Sequence, residues 1–112
     1  MKQFGSLILL LLFAAPVAVP RVRTGTLTGT LFGPDGAALA GARVTVQQAD
    51  GRHPHAKLTD AHGRFVFQRL SVGPYDVRAF SNGVWSEWQH HVIVRTGKQT
   101  KIELRLPAQT RN

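Results

Sequence analysis

From residue 26 onward, apolar and polar side chains alternate in short runs separated by glycine, proline and small polar residues. In the clearest run, Lys101 to Leu106, three apolar residues face one way and three charged residues the other. Phe65 and Phe67 share a face in the same manner and are expected to supply much of the core. Gly29 indicates a bulge or a close contact between strands. With no helical period after residue 20, the pattern predicts an all-β, Greek-key β-sandwich of about seven strands, at 26–32, 42–47, 57–59, 64–68, 75–79, 84–94 and 101–106.

Glycine marks the places where the chain is expected to reverse. Gly36 and Gly41 bound the connection after the first run, Gly63 ends a tight reversal that starts at Asp60, and Gly73 lies in the next turn. An aspartate in such a turn accepts hydrogen bonds from nearby backbone N–H groups, and glycine adopts the left-handed conformation at little cost. These positions therefore favour hairpins and short connections between strands.

The first twenty residues follow a different pattern. A positive charge at Lys2 precedes an apolar run over 7–19, and two prolines keep that run below the roughly 20 residues that a membrane-spanning helix needs. This pattern predicts a signal peptide helix over 1–20 with cleavage near Ala18. The protein is then expected to be secreted or periplasmic. The alternative is an uncleaved segment that anchors the protein in a membrane.

The rest of the chain has the size of one small domain. The predicted domain covers 25–106, and 107–112 is expected to be a frayed tail. A domain of about 90 residues buries a modest core, so that packing or a larger assembly must stabilise it. The sequence contains no cysteine. Disulfides, thiolate metal sites and thiol nucleophiles are therefore excluded.

The chain is strongly basic, with a formal net charge of +8 and ten arginines among its fourteen cationic residues. The cations are scattered and many alternate with apolar residues, which is typical of solvated strand faces. An excess of positive charge also suits an anionic partner. For an exported protein, an acidic surface polymer is a better candidate than nucleic acid, and no nucleic-acid partner is expected.

Three sequence blocks occur in a fixed order: Gly-x-x-Leu-x-Gly-Ala-x-Val from residue 36, Thr-Asp-x-x-Gly-x-Phe-x-Phe from residue 59 and Leu-x-x-Gly-x-Tyr-x-Val from residue 70. Together they resemble the carboxypeptidase regulatory-like domain family. The resemblance implies a prealbumin-like (transthyretin-like) sandwich, grouped with carbohydrate-binding-like folds, and a non-catalytic accessory domain without catalytic residues. The motif positions are Gly36, Gly41, Thr59, Asp60, Gly63, Phe65, Phe67, Gly73 and Tyr75.

The histidines are the first candidates for chemistry. His53 and His55 lie two residues apart in a polar loop, but no cysteine or paired carboxylate completes the four ligands that zinc prefers. His90 and His91 are adjacent in a predicted strand, so that they are expected to point to opposite faces, one at the edge of the core and one exposed. Iron-binding dioxygenases with a similar sandwich use two tyrosines, whereas Tyr75 is the one tyrosine here. No cofactor or metal is expected and the prediction is a protein that is not an enzyme, with a small hydrolase as the third alternative.

The aromatic residues are the best indication of a binding site. Trp85 and Trp88 are three positions apart in a predicted strand, so that one is expected in the core and one outside, unless a bulge intervenes. An exposed indole beside Glu87 and His90 could stack on a sugar ring, with Phe80 joining it. The alternative is that both indoles only fill the ends of the sandwich. We therefore predict a binding or scaffolding module whose partner is a cell-envelope protein or a glycan, with the oligomeric state left open.

Overall fold

The computed structural model describes residues 22–109; the predicted signal peptide over 1–20 and the end of the predicted tail lie outside them. Within this range no helix is long and apolar enough to cross a membrane. The predicted all-β class is confirmed. The strands of the described residues are β1 (Thr24–Phe32), β2 (Arg43–Gln48), β3 (His55–Leu58), β4 (Arg64–Ser71), β5 (Gly73–Ser81), β6 (Val84–Trp85), β7 (Gln89–Val94) and β8 (Gln99–Arg105).

The strands form two sheets, as the predicted sandwich requires. The smaller sheet has the order β4-β1-β8, in which the pair of β1 and β8 is parallel. In the larger sheet β3 pairs with β2 and β2 with β5, while β6 and β7 both pair with the other side of β5. The chain thus changes sheet after β1, β3, β4 and β7, and the first and last strands lie side by side.

The core lies between the sheets and is built from alternate strand positions. Phe65 and Phe67 are both buried there, with their rings 6.1 Å apart in an edge-to-face arrangement. The Phe65 ring and the Ile102 carbonyl oxygen occupy the space that a Cβ at Gly29 would need, so that the predicted close contact at this glycine is confirmed. The other buried apolar residues are Leu27, Leu31, Ala42, Val44, Val46, Leu70, Tyr75, Val77, Ala79, Val92, Val94, Ile102, Leu104 and Leu106.

The strands over 84–94 and 57–59 differ from their predictions. The first is two strands, β6 and β7, separated by residues 86–88, so that the described residues contain eight strands rather than seven. The strand predicted at 57–59 instead covers His55–Leu58. It ends before Thr59, because the Thr59 side chain binds the 39–42 connection. The Thr59 hydroxyl donates a hydrogen bond to the Leu39 carbonyl oxygen at 2.6 Å and accepts one from the Ala42 N–H at 3.0 Å.

The reversal between β3 and β4 has the predicted chemistry. One carboxylate oxygen of Asp60 accepts hydrogen bonds from the backbone N–H groups of His62 and Arg64, at 2.8 and 2.9 Å. Gly63 has φ +73°, and a Cβ there would lie 2.8 Å from that of Ala38. Positive φ therefore combines with a close approach, so that glycine is required at this position. Gly36 and Gly41, in the connection between β1 and β2, also have positive φ. Gly73 has positive φ as well, but it is the first residue of β5 and not part of a turn, because only Val72 separates β4 from β5.

We expect Asp60→Asn to destabilise the protein at pH 7 but much less in acid. The hydrogen bonds from the N–H groups of Arg64 and His62 lower the pKa of Asp60 below its usual 3.8. A lowered native pKa means that the carboxylate stabilises the fold above the unfolded-state pKa, and that this contribution is lost as the pH falls through the native value. Urea unfolding at pH 7 and at about pH 3 checks this, since an equal difference between parent and variant at both pH values would contradict it.

Candidate functional site

The break between β6 and β7 is made by a buried serine. The backbone of Ser86 donates a hydrogen bond to the Ala79 carbonyl oxygen at 2.8 Å. Its side-chain oxygen takes the place of a backbone acceptor, because the Ala79 N–H donates to Ser86 Oγ at 2.8 Å. The same hydroxyl donates to the carbonyl oxygen of Glu87 at 3.0 Å. A side chain thus pairs with β5 where a strand would use its backbone, and the regular alternation of faces ends there.

The two tryptophans consequently meet the same side chain. The guanidinium carbon of Arg78 lies 3.8 Å from the centre of the Trp85 ring and 4.3 Å from the centre of the Trp88 ring. Neither indole belongs to the buried core, and Trp85 is 46% exposed. The expectation that one tryptophan is in the core is therefore wrong, because residues 86–88 leave the strand and the rule of opposite faces no longer applies. The predicted neighbour Phe80 does join them, with its ring 4.5 Å from that of Trp85.

Arg78 was not identified from the sequence, although a signal was present. It alternates along β5 with the core residues Val77 and Ala79, on the same face as Phe80. Its Nε is buried and has no hydrogen-bond partner among the described residues. The guanidinium also packs against two indole faces, which suit its planar shape better than they would suit a lysine ammonium. We call Arg78, Phe80, Trp85 and Trp88 the aromatic–arginine cluster.

The polar candidates Glu87 and His90 lie beside this cluster in the chain. Glu87 is exposed and lines an opening of about 470 Å³ between Trp88 and the end of β8. His90 is exposed, and its Nδ1 lies 3.1 Å from a carboxylate oxygen of Asp76 on β5. Asp76 lies opposite a bulge in β7, because the register shifts between Tyr75 and Val77.

The histidines do not come together as metal ligands. The bulge in β7 gives His91 a positive φ of 59°, and both His90 and His91 are exposed. The expectation that one of them lies at the edge of the core is therefore wrong. His53 and His55 line a separate opening beside Arg69, and residues 22–109 contain no group of three histidine, aspartate or glutamate side chains placed to share a metal ion.

Tyr75 belongs to the hydrophobic core between the sheets. Its ring is buried and its hydroxyl donates a hydrogen bond to the Ser71 carbonyl oxygen at 2.7 Å. Burial raises the pKa of the Tyr75 hydroxyl above its usual 10.0. The hydrogen bond ties the phenol to the end of the preceding strand, which gives Tyr75 a structural role in the sequence motif.

Solved structures with a similar fold come from proteins of several kinds. The TIE protein of Bacillus anthracis superposes with a TM-score of 0.62 at 20% identity, over 76% of this chain and 16% of that one. The minor pilin GBS52 of Streptococcus agalactiae gives 0.61 at 20% identity, over 80% and 48% of the two chains. The dioxygenase domain of a dioxygenase carbohydrate-binding protein fusion from Streptomyces sp. SirexAA-E gives 0.58 at 14% identity, over 83% and 85%. At these identities the similarity establishes the fold alone.

The family is established by the sequence match. The protein spans less than half the length of the TIE protein and of the pilin. A search of curated proteins found no match. The family model of the carboxypeptidase regulatory-like domain, in contrast, matches residues 26–107, which is most of the chain and includes all three motif blocks. The structure explains these blocks as turn glycines, core aromatics and the hydrogen bonds of Thr59, Asp60 and Tyr75, and the chain belongs to the carboxypeptidase regulatory-like domain family.

Proposed function

We propose that this chain is an exported, non-catalytic binding module that docks a cell-envelope protein through the aromatic–arginine cluster. The observation that carries the proposal is the half-exposed Trp85, held in place by the Arg78 guanidinium at 3.8 Å and by Phe80. Export rests on the apolar segment after Lys2. The absence of a catalytic role rests on the family and on the lack of a converging acid, base and nucleophile among the candidate residues.

The composition of the cluster suits a protein interface. Tryptophan and arginine are the side chains most enriched among residues that dominate binding energy, and they act best where water is already excluded. Trp85 loses little conformational freedom on binding, because Arg78 and Phe80 already contact its ring. A partner that covers the remaining exposed part of the indole would complete the burial of a surface that the fold alone leaves open.

A glycan is the second candidate ligand. The specific observation in its favour is the border of polar side chains, since the exposed Glu87 and the exposed His90 flank Trp88 along the chain. Sugar recognition combines an aromatic platform with such hydrogen-bonding groups. The Arg78 guanidinium covers one face of each indole, so that a sugar ring would have to stack on the opposite face.

Site-specific photo-crosslinking in the producing cells tests the proposal. A photoreactive residue at Glu87, which is exposed beside the cluster, is expected to capture a protein of defined mass. As the control, the photoreactive residue replaces Val66, which is 38% exposed on the other sheet, and it is expected to capture no protein there. Adding Trp85→Ala should reduce the product at position 87 to the level of the control, because the anchor of the interface is removed.

Tryptophan fluorescence separates the two candidate ligands. Titration with a panel of neutral oligosaccharides is expected to leave the emission unchanged if the partner is a protein. Suppose that an oligosaccharide changes the emission, that Trp85→Phe removes this change and that no protein is crosslinked. The ligand of the cluster would then be a glycan and not a protein. Absence of both signals would overturn the assignment of the aromatic–arginine cluster as a binding surface.

A further inference from the structure

We propose that the protein has a second binding site, for an acidic polysaccharide, in the opening between β3 and β4. These two strands are the end strands of different sheets and lie on the same side of the sandwich. We call the site the basic cleft and define it by His53, His55, Lys57, Gln68, Arg69 and Lys98. It shares no residue with the aromatic–arginine cluster, so that the inference goes beyond the proposed function and does not depend on it.

Three adjoining openings make up the cleft. The central one, of about 380 Å³, lies between His55 and Lys57 on β3 and Gln68 and Arg69 on β4. A second, of about 180 Å³, continues past His53 towards Tyr75. A third, of about 410 Å³, leads from Arg69 to Lys98 at the start of β8. Because Arg69 lines all three, they form one path along the edge of the sandwich.

The cleft is positively charged and lacks compensating carboxylates. Lys57, Arg69 and Lys98 are all exposed, and none of them forms an ion pair with another described residue. None of the six acidic residues of the chain lines any of the three openings. Concave surfaces lined by one sign of charge concentrate counter-ions and charged ligands. An anion entering this path would therefore meet only cationic or neutral groups.

A bulge in β4 builds the central part of the cleft. The register between β1 and β4 shifts between Gly25 and Leu27, and Arg69 has a positive φ of 58°. Gln68 and Arg69 are consequently both exposed in succession, where regular alternation would bury one of them. A residue other than glycine is uncommon in this conformation. The strand thus departs from its regular form at the position where the arginine joins the three openings.

The chemistry of the lining favours a polysaccharide over a protein. The large apolar residues of the central opening, Phe67 and Leu70, are buried, and the exposed Ala56 is small. The cleft therefore offers no exposed aromatic anchor of the kind that dominates protein interfaces. It offers instead cations for carboxylate or sulfate groups and the Gln68 amide for hydroxyl groups. The outer edges of β3 and β4 also have no partner strand among the described residues, which leaves backbone groups for an extended chain.

Binding of the full chain to polygalacturonate and to heparin, measured by calorimetry at low salt, tests the proposal. The first probe carries carboxylates and the second sulfates, so that the preferred one identifies the acidic group. Arg69→Gln and Lys57→Gln are each expected to weaken binding about fivefold, because each removes one ion pair with the ligand. Each is also expected to flatten the dependence of the binding constant on salt.

The controls are Arg64→Gln and Lys101→Gln, which remove exposed charges on β4 and β8 outside the cleft. They are expected to change the affinity by less than about twofold. The proposal is overturned if neither probe binds, if the control variants weaken binding as much as the cleft variants, or if a DNA duplex of equal charge binds as tightly. If the polysaccharide binds as expected but position 87 gives no Trp85-dependent crosslink, the proposed function is contradicted and the basic cleft is not.

Discussion

Replacing Phe65 by alanine is expected to lower the free energy of unfolding by about 3–5 kcal/mol, the usual cost of truncating a buried aromatic ring. Phe65 is buried, packs edge to face against Phe67, and lies over Gly29 on the neighbouring strand. Its removal opens a cavity where a glycine has no side chain to fill it. Since small domains have total stabilities of about 5–15 kcal/mol, the variant should be partly unfolded near physiological temperature.

Urea unfolding followed by circular dichroism measures this effect. Val66→Ala is the matched control, because Val66 is the next residue on β4 and its side chain is exposed on the opposite face. It is expected to change stability by no more than about 0.5 kcal/mol. Similar losses for the two variants would contradict the placement of the core between the sheets.

A double variant tests the contact with Gly29 itself. Gly29→Ala alone should destabilise, because its Cβ would collide with the Phe65 ring and lie 2.6 Å from the Ile102 carbonyl oxygen. In the Phe65→Ala background the first collision disappears, so that adding Gly29→Ala should cost less than it does in the parent. Strictly additive losses would show that the ring does not cover the glycine.

Ser86→Ala is expected to cost about 1–3 kcal/mol and to change the environment of both tryptophans. The substitution removes the acceptor of the Ala79 N–H, which is buried and would be left without a partner. The hydroxyl also donates to the Glu87 carbonyl oxygen, so that the 86–88 segment loses the bond that holds it away from the strand. Trp85 and Trp88 should then separate from Arg78.

Two measurements check this prediction. The unfolding midpoint in urea reports the loss of stability, and the tryptophan emission should shift to longer wavelength as the indoles lose contact with the guanidinium. Ser81→Ala is the control, since Ser81 lies on β5 in the same sheet and its side chain forms no hydrogen bond among the described residues. Unchanged stability and emission in Ser86→Ala would contradict the role given to this serine.

Much of the fold was predictable because it depends on local geometry. Alternation places Val44 and Val46, like Phe65 and Phe67, on one face, and the strand period of two leaves no other way to bury them. The reversal at Asp60 and Gly63 was predictable for a similar reason, since its hydrogen bonds and its positive φ involve residues only a few positions apart. The family motif is composed largely of such local features.

The prediction of the site was partial for a different reason. Ser86 is indistinguishable in the sequence from a polar residue on the outer face of a strand, and only the position of Ala79 on β5 makes its hydroxyl a substitute for a backbone acceptor. Trp85 and Trp88 were both predictable as candidates for ligand contact, without an indication of which one is exposed, and their neighbour Arg78 belongs to another strand. Its contribution depends on which strands pair and in what register.

The sequence by itself determined the alternation, the turns and therefore a two-sheet β-sandwich of the carboxypeptidase regulatory-like family. Only the tertiary structure decided that Trp85 and Trp88 share one arginine, and that Lys57, Arg69 and Lys98 line one cleft. The physical reason is the range of the interactions involved. A turn or an alternating strand depends on neighbouring residues, whereas a cation–π contact or a charged cleft arises where strands distant in sequence meet.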